Sequence, residues 1–189
     1  ANPSSNNNLD QTTNKEIDLG YELQNDSMKF KVKTFYSDLD NYIYLHKTGA
    51  ATSTFANIDA KVYGAEISSE YFLTDTITLD ASASYKRGKK DQALSATNTD
   101  TDLADIAPLR GTIGATYEYA NNSTLSAEIV ASDRWDTIDS DNGEQELAGW
   151  SIVNLKAKHA FWKNLDLTVR ANNIFDVTFA QSNTYADLV

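Results

Sequence analysis

The feature that most limits how this chain can fold is a two-residue alternation of apolar and polar side chains, which recurs along most of its length. In residues 153–161 and again in 165–171, apolar side chains occupy every second position. A period of two places alternate side chains on opposite faces of a strand. The short connection 162–164 predicts a hairpin. Three further pairs follow the same pattern: 17–23 with 28–36, 65–71 with 77–85, and 109–117 with 125–131. The sequence therefore predicts an all-β, antiparallel, up-and-down arrangement of about eight strands.

The two faces of these strands differ in charge. The apolar positions contain no Asp, Glu, Lys or Arg, whereas the alternate positions carry many charges. A Lys or Arg facing lipid at mid-bilayer costs about 2 to 4 kcal/mol, so lipid would impose this exclusion. The interior of a soluble sandwich would exclude charge too. Tyrosines cluster near the strand ends, as in the aromatic belts of membrane proteins, and this favours a transmembrane β-barrel.

The connections between strands alternate in length. Short turns follow Gln24, Leu73, Tyr119 and Trp162, and long connections follow about Asp38, Arg87, Ser132 and Asp176. We expect all short turns at one end of the sheet and all long loops at the other. Residues 38–57 are predicted to form a long loop with extended flanks, and the polar stretch 87–105 to contribute nothing to a core.

Composition excludes several classes of function. A net charge of −11 argues against nucleic acid as a partner. Without cysteine there is no disulfide framework, and two His with one Met give little material for a soft-metal centre. No apolar run approaches the roughly 20 residues of a transmembrane helix. No nucleophile, base and oxyanion arrangement is apparent, so neither enzymatic activity nor a cofactor is expected.

The candidate site residues lie in or beside the long loops. Aromatic side chains and Arg supply large, oriented contact areas, so the predicted ligand contacts are Tyr42, Tyr44, Phe55, Arg134 and Trp135. Their alternative role is an aromatic girdle or packing between loops. The acidic loop 132–148 offers a weak calcium candidate, because hard cations prefer clustered oxygens: Asp139, Asp141, Asn142 and Glu144. Gly143 lies one place early for an EF-hand, and a solvated acidic loop is the simpler interpretation.

Four segments resemble the C-terminal part of the β-barrel of TonB-dependent outer-membrane receptors. Asn2-Pro3 with NKEIDLGYEL at 14–23 is similar to the family's NP and Y-E segment, and the hairpin 62–85 is similar to its Y-G-x-E-x-E hairpin. LADIAPLRGTIGATYEY at 103–119 resembles an I-P-P-x-R-G strand entry, and VRANNIFDVTF at 169–179 resembles V-x-N-L-F-D-x-x-Y. The four occur in the family's order and span nearly the whole chain.

The resemblance implies a function in transport. Such receptors are 22-stranded barrels, occluded by a plug domain, in the outer membrane of Gram-negative bacteria. Energised by TonB, they import ferric siderophores, other metal chelates, haem or cobalamin. Residues 1–189 are expected to form a single region with about eight of the 22 strands, lacking the plug, and hence a fragment. A soluble extracellular β-sandwich binding module and a passive porin-like channel remain the alternatives.

Overall fold

A computed structural model describes residues 8–49, 52–94 and 99–183, so Asn2 and Pro3 of the resemblance lie outside the described residues. Its strands form one antiparallel sheet in the order β1 to β8, each paired with its sequence neighbours. The strands are β1 Thr13–Gln24, β2 Met28–Gly49, β3 Thr52–Phe72, β4 Ile77–Lys90, β5 Arg110–Ala120, β6 Ser123–Ser132, β7 Trp150–Trp162 and β8 Leu165–Ala171. The prediction of an up-and-down arrangement of eight strands is confirmed.

The four short turns lie where the sequence placed them. In the β1–β2 turn, the Asn25 side-chain oxygen accepts the backbone N–H groups of Ser27 and Met28, both at 2.9 Å. In the β3–β4 turn, the Thr74 hydroxyl oxygen accepts the backbone N–H of Ile77 at 3.0 Å. Asn and Thr side chains close such turns by replacing a backbone acceptor. These turns define the short-turn end of the sheet.

The prediction of a long loop over 38–57 is wrong. β2 continues to Gly49 and β3 begins at Thr52, and the two remain paired from Tyr42↔Ile58 to Gly49↔Thr52. The register shifts twice, between Leu39 and Tyr42 and again between Lys47 and Gly49. The first shift interrupts the alternation of apolar and polar residues, and the small polar residues near 52–54 add no apolar periodicity. The segment is therefore extended without carrying the sequence pattern of a strand.

One face of the sheet, the apolar face, carries the large hydrophobic side chains. Many are strongly exposed, such as Leu19 at 69% and Ile113 at 68%. In β2, β3 and β4 the apolar face runs over 28–36, 63–71 and 77–85, and Tyr36, Tyr63 and Tyr85 lie near its limit toward the long-loop end. Charged residues begin with Arg87, opposite Tyr63, and continue in the next cross-strand row, Lys15↔Asp38↔Lys61↔Lys89. The band is about nine residues tall, which is the length of a tilted strand across a bilayer.

The opposite, polar face carries ion pairs between neighbouring strands. Lys29 pairs with Glu70 at 2.8 Å, Lys33 with Asp18 at 3.0 Å and Lys158 with Asp166 at 2.8 Å. These side chains are largely exposed, so solvent screens each pair and the pairs add little to the stability of the sheet. The described residues contain no helix that is long and apolar enough to cross a membrane. The exposed ion pairs thus make the polar face a charged surface, distinct from the charge-free apolar face.

A small core forms at the long-loop end, on the polar side of the sheet. The segment between β4 and β5 folds back so that Leu103 and Ile106 pack with Tyr44 and Ala60. A Cβ atom on Gly88 would lie 2.9 Å from side-chain atoms of both Leu103 and Ile106, so only glycine allows this close approach. The expectation that 87–105 contributes nothing to a core is wrong. Two isolated apolar residues in a polar segment give no periodic signal, yet both meet partners from distant strands.

Candidate functional site

A β-bulge in β2 decides which way the predicted aromatic contacts face. Asp40 and Asn41 together lie opposite Asp59, and Asn41 adopts a left-handed conformation with φ 54°. Its backbone N–H donates to the Asp59 carboxylate at 3.0 Å, and its carbonyl accepts from the Asn57 side chain at 2.7 Å. Asn tolerates this conformation better than most residues. An extra residue reverses the facing of those that follow, so Tyr42 and Tyr44 lie on the polar side.

Beyond this bulge, β2, β3 and the two long loops surround an open depression of about 500 Å³. Three of the five predicted contact residues line it, namely Tyr42, Tyr44 and Phe55. The described residues lining it are Tyr42, Ile43, Tyr44, Leu45, Phe55, Ala104, Asp105, Asn142, Gly143, Glu144 and Asn183. Aromatic side chains thus line the same depression as carboxylates and amides contributed by separate loops, an arrangement suited to an organic ligand. We call this depression the loop pocket.

A buried polar cluster fixes the floor of the loop pocket. The Lys90 ammonium donates to the Asp139 carboxylate at 2.9 Å, and both side chains are fully buried. The Tyr44 hydroxyl donates to the other Asp139 oxygen at 2.5 Å and accepts the Ala104 backbone N–H at 2.8 Å. The Asn142 amide donates to the Asp139 carboxylate and to the Leu45 carbonyl, each at 2.8 Å. This Lys90 cluster joins β2, β4 and both long loops.

Ionisation in and around the cluster follows from burial. Burial, and then the hydrogen bond to the Asp139 carboxylate, raise the pKa of the Tyr44 phenol, so it remains a neutral donor. Burial also raises the pKa of Glu144, although its carboxylate accepts the backbone N–H groups of Asp105 at 2.7 Å and Asp139 at 2.6 Å. Glu144 thus ties the two long loops together by direct hydrogen bonds.

The structure places the calcium candidates differently from an open cation loop. Asp139 directs its carboxylate at Lys90 and Tyr44, and Glu144 holds backbone amides. In the described part of the chain, no group of three His, Cys, Asp or Glu side chains is arranged to hold a metal ion. The interpretation of this segment as a solvated acidic loop is wrong for Asp139, which has 0% exposure. The Lys90 ammonium already supplies positive charge to this carboxylate.

The other two predicted contacts lie away from the loop pocket. Arg134 is exposed and forms an ion pair with Glu146 across the base of its loop. Trp135 is 4% exposed, and its backbone pairs with that of Leu147. Neither is among the described residues that line the pocket. The loop therefore uses Trp135 as an internal anchor, which corresponds to the packing role named as the alternative.

Sequence reasoning missed Lys90, Leu103 and Ile106. Lys90 is the last residue of the run KRGKK, which resembles a solvated charged strand end. Its burial depends on Asp139, which is 49 positions away. No local pattern in either segment predicts this buried ion pair. The sequence shows only that one long loop is acidic and that the end of β4 is basic.

Comparison with known proteins assigns the sheet to a family. A family model described as "TonB dependent receptor-like, beta-barrel" matches residues 1–174. Among solved structures, the copper transporter OprC superposes with a TM-score of 0.82 at 20% identity, covering 93% of this chain and 28% of that chain. The ferric-catecholate import receptor Fiu from E. coli K12 gives 0.69 at 16% identity, covering 96% and 27%.

The ferric citrate transporter FecA gives a TM-score of 0.69 at 16% identity, covering 88% of this chain and 27% of that one. At these identities the likeness concerns the fold. The chain spans a little over a quarter of the length of these structures. The match of the family model over 1–174 and the eight-stranded up-and-down sheet agree with the sequence resemblance, and the chain belongs to the TonB-dependent receptor β-barrel family.

Proposed function

We propose that this chain forms one sector of an outer-membrane receptor that imports a scarce nutrient, such as a ferric siderophore or another metal chelate, haem or cobalamin, using energy delivered through TonB. The observation that carries the proposal is the charge-free apolar face, bounded by tyrosines and then by the charged row from Lys15 to Lys89. Because unpaired strand edges are not tolerated in lipid, β1 and β8 would pair with further strands of a larger barrel.

The partners follow from the two faces. Outer-membrane lipid of a Gram-negative bacterium would cover the apolar face. A plug domain would occupy the lumen beside the ion pairs of the polar face, and it would connect the receptor to the TonB system. No nucleic-acid partner is proposed, because the net charge of −11 would repel one. The five predicted contacts keep different roles: Tyr42, Tyr44 and Phe55 would touch ligand in the loop pocket, whereas Arg134 and Trp135 would brace its loop.

A soluble binding module is the weaker alternative. A sandwich would cover the apolar face with a second sheet, but Ile113 and Leu19 remain more than two-thirds exposed here. Such a module would purify as a monodisperse, cooperatively melting monomer in plain buffer. Recovery of the intact protein in that form, without detergent, would contradict the membrane proposal.

Transport itself is tested in cells. We expect that deleting the parent gene abolishes high-affinity uptake of one radiolabelled iron, cobalamin or copper source, and that a plasmid copy restores it. Deleting the gene for TonB should abolish the same uptake. A passive channel would instead show uptake that is independent of TonB and proportional to concentration, and that result would replace the receptor proposal with the channel alternative.

A further inference from the structure

We infer, on the basis of the proposed receptor function, that the loop pocket takes a positively charged ligand, a metal chelate that presents a protonated amine to this wall. Among the described lining residues there are two carboxylates, Asp105 and Glu144, and no Lys, Arg or His. The other large side chains in the lining are the aromatic Tyr42, Tyr44 and Phe55 and the aliphatic Ile43 and Leu45. Rings combined with carboxylates form a surface that binds organic cations.

Four basic side chains of β4 and of the β6–β7 loop are already paired with acids. Lys90 is held by Asp139 at 2.9 Å. Arg87 and Lys89 both contact Asp102, at 3.0 and 2.8 Å, and Arg134 pairs with Glu146. None of these cations is therefore left to neutralise an anionic ligand, because each is held by a carboxylate of the same loops.

The loops also carry an excess of negative charge. Residues 133–147 contain six carboxylates and one guanidinium. Clefts lined by one sign of charge concentrate ligands of the opposite sign. The raised pKa of Glu144, caused by burial and by the neighbouring Asp105 and Asp139 carboxylates, indicates that an added positive charge would be favourable here.

The aromatic rings add to this preference. The Tyr42 ring lies 6.0 Å from that of Tyr44 and is tilted by 45° to it, and Tyr42 lines the pocket with the two carboxylates. Tyr44 is only 7% exposed, and the Lys90 ammonium already lies 5.7 Å from its ring centroid, so Tyr42 is the tyrosine ring that offers a face to the ligand. A cation over a tyrosine face is attracted by the ring quadrupole. A polyanionic chelate would meet repulsion from Asp105 and Glu144, and the neutral donors of Tyr42 and Asn183 would supply no opposite charge in exchange for its lost hydration.

The test uses three iron(III) trihydroxamate probes that differ only at one end: a free amine, an acetylated amine and a succinylated amine. Their terminal groups are cationic, neutral and anionic. Binding to the full-length receptor in detergent is measured by titration calorimetry at low and at physiological salt. We expect the cationic probe to bind tightest and the anionic probe weakest, with steps of about three- to tenfold that shrink at higher salt.

Asp105→Asn should remove most of the advantage of the cationic probe, and Asn suits the left-handed φ of 59° at this position. Asp75→Asn, in a short turn at the opposite end of the sheet, removes the same charge and should leave the order unchanged. Equal binding of the three probes, preference for the anionic one, or no binding of the cationic one would overturn the inference. Uptake that depends on TonB, measured separately, would still support the receptor function.

Discussion

Replacing Lys90 by methionine should release the loop between β6 and β7. Lys90 and Asp139 are fully buried and 2.9 Å apart, and methionine keeps the volume of the side chain but removes the charge. The Asp139 carboxylate would then be buried without its counter-ion. Removing one partner of a buried pair costs about 3 to 5 kcal/mol. Because the cluster lies where β2 and β4 meet the long loops, beyond the charge-free band of the sheet, this loss should appear as local opening and not as unfolding of the sheet.

Hydrogen exchange of the intact receptor in micelles measures that opening. The amides of Asn142 and Glu144 donate to the Asp139 carbonyl, each at 3.2 Å, and report on the loop directly. If they exchange through local opening, the lost free energy predicts exchange about 10² to 4 × 10³ times faster in Lys90→Met than in the wild type. Strand amides at the short-turn end should exchange at unchanged rates.

The neighbouring lysine provides a matched control. Lys89 pairs with Asp102 at 2.8 Å with its side chain 36% exposed, so Lys89→Met should change loop exchange by less than about tenfold. Adding Asp139→Asn to Lys90→Met should recover much of the protection, because a neutral amide needs no counter-ion and can still accept from the Tyr44 hydroxyl. Equal exchange in the Lys90 and Lys89 variants would refute the reasoning that the buried pair holds the loop.

Three further outcomes are expected. Gly88→Ala should lower the melting temperature of the long-loop region, since overpacking costs about 1 to 3 kcal/mol, whereas Gly20→Ala, with its nearest contact at 3.7 Å, should not. Ile129→Lys should destabilise the receptor in liposomes by about 2 to 4 kcal/mol, measured by urea unfolding, and Val130→Lys on the polar face should cost far less; equal losses would contradict the assignment of faces. Burial alone would raise the pKa of Asp100, but hydrogen bonds from backbone amides outweigh it and lower this pKa below the ordinary value of 3.8. The stabilisation of the loops by ionised Asp100 is therefore present above pH 3.8 and is lost as the pH falls through the lowered pKa of the folded protein. Asp100→Asn should flatten the dependence of loop proteolysis on pH in that range.

The sequence alone predicted the strands and short turns in the part of the sheet that carries the charge-free apolar band. Residues 28–36 and 77–85 alternate without interruption, and Asn25 and Thr74 mark turns that close by local hydrogen bonds. Both signals are local, because strand periodicity and turn chemistry act over a few neighbouring residues. The same alternation also gave the charge-free face, whereas the family came from the four segments that resemble receptor motifs.

The extension of β2 and β3 beyond Leu39 was not predictable in this way. A single extra residue at Asn41 reverses the facing of the aromatic residues beyond it, so the pattern of two is broken where the ligand-contact candidates begin. The bulge depends on the Asp59 carboxylate of the partner strand. Tyr42 and Tyr44 were identified as candidates by residue type. That they lie on the polar side became clear only from the pairing of β2 with β3.

The sequence by itself determined the sheet, its two faces and the end at which its long loops lie, because each follows from the order of side chains along a short segment. Only the tertiary structure decided that Lys90, Asp139 and Tyr44 meet in a buried cluster and that the loop pocket forms above it. Those residues are brought together from distant segments by burial and charge pairing. A buried charge gains its partner only after the chain has folded, so no local pattern records it.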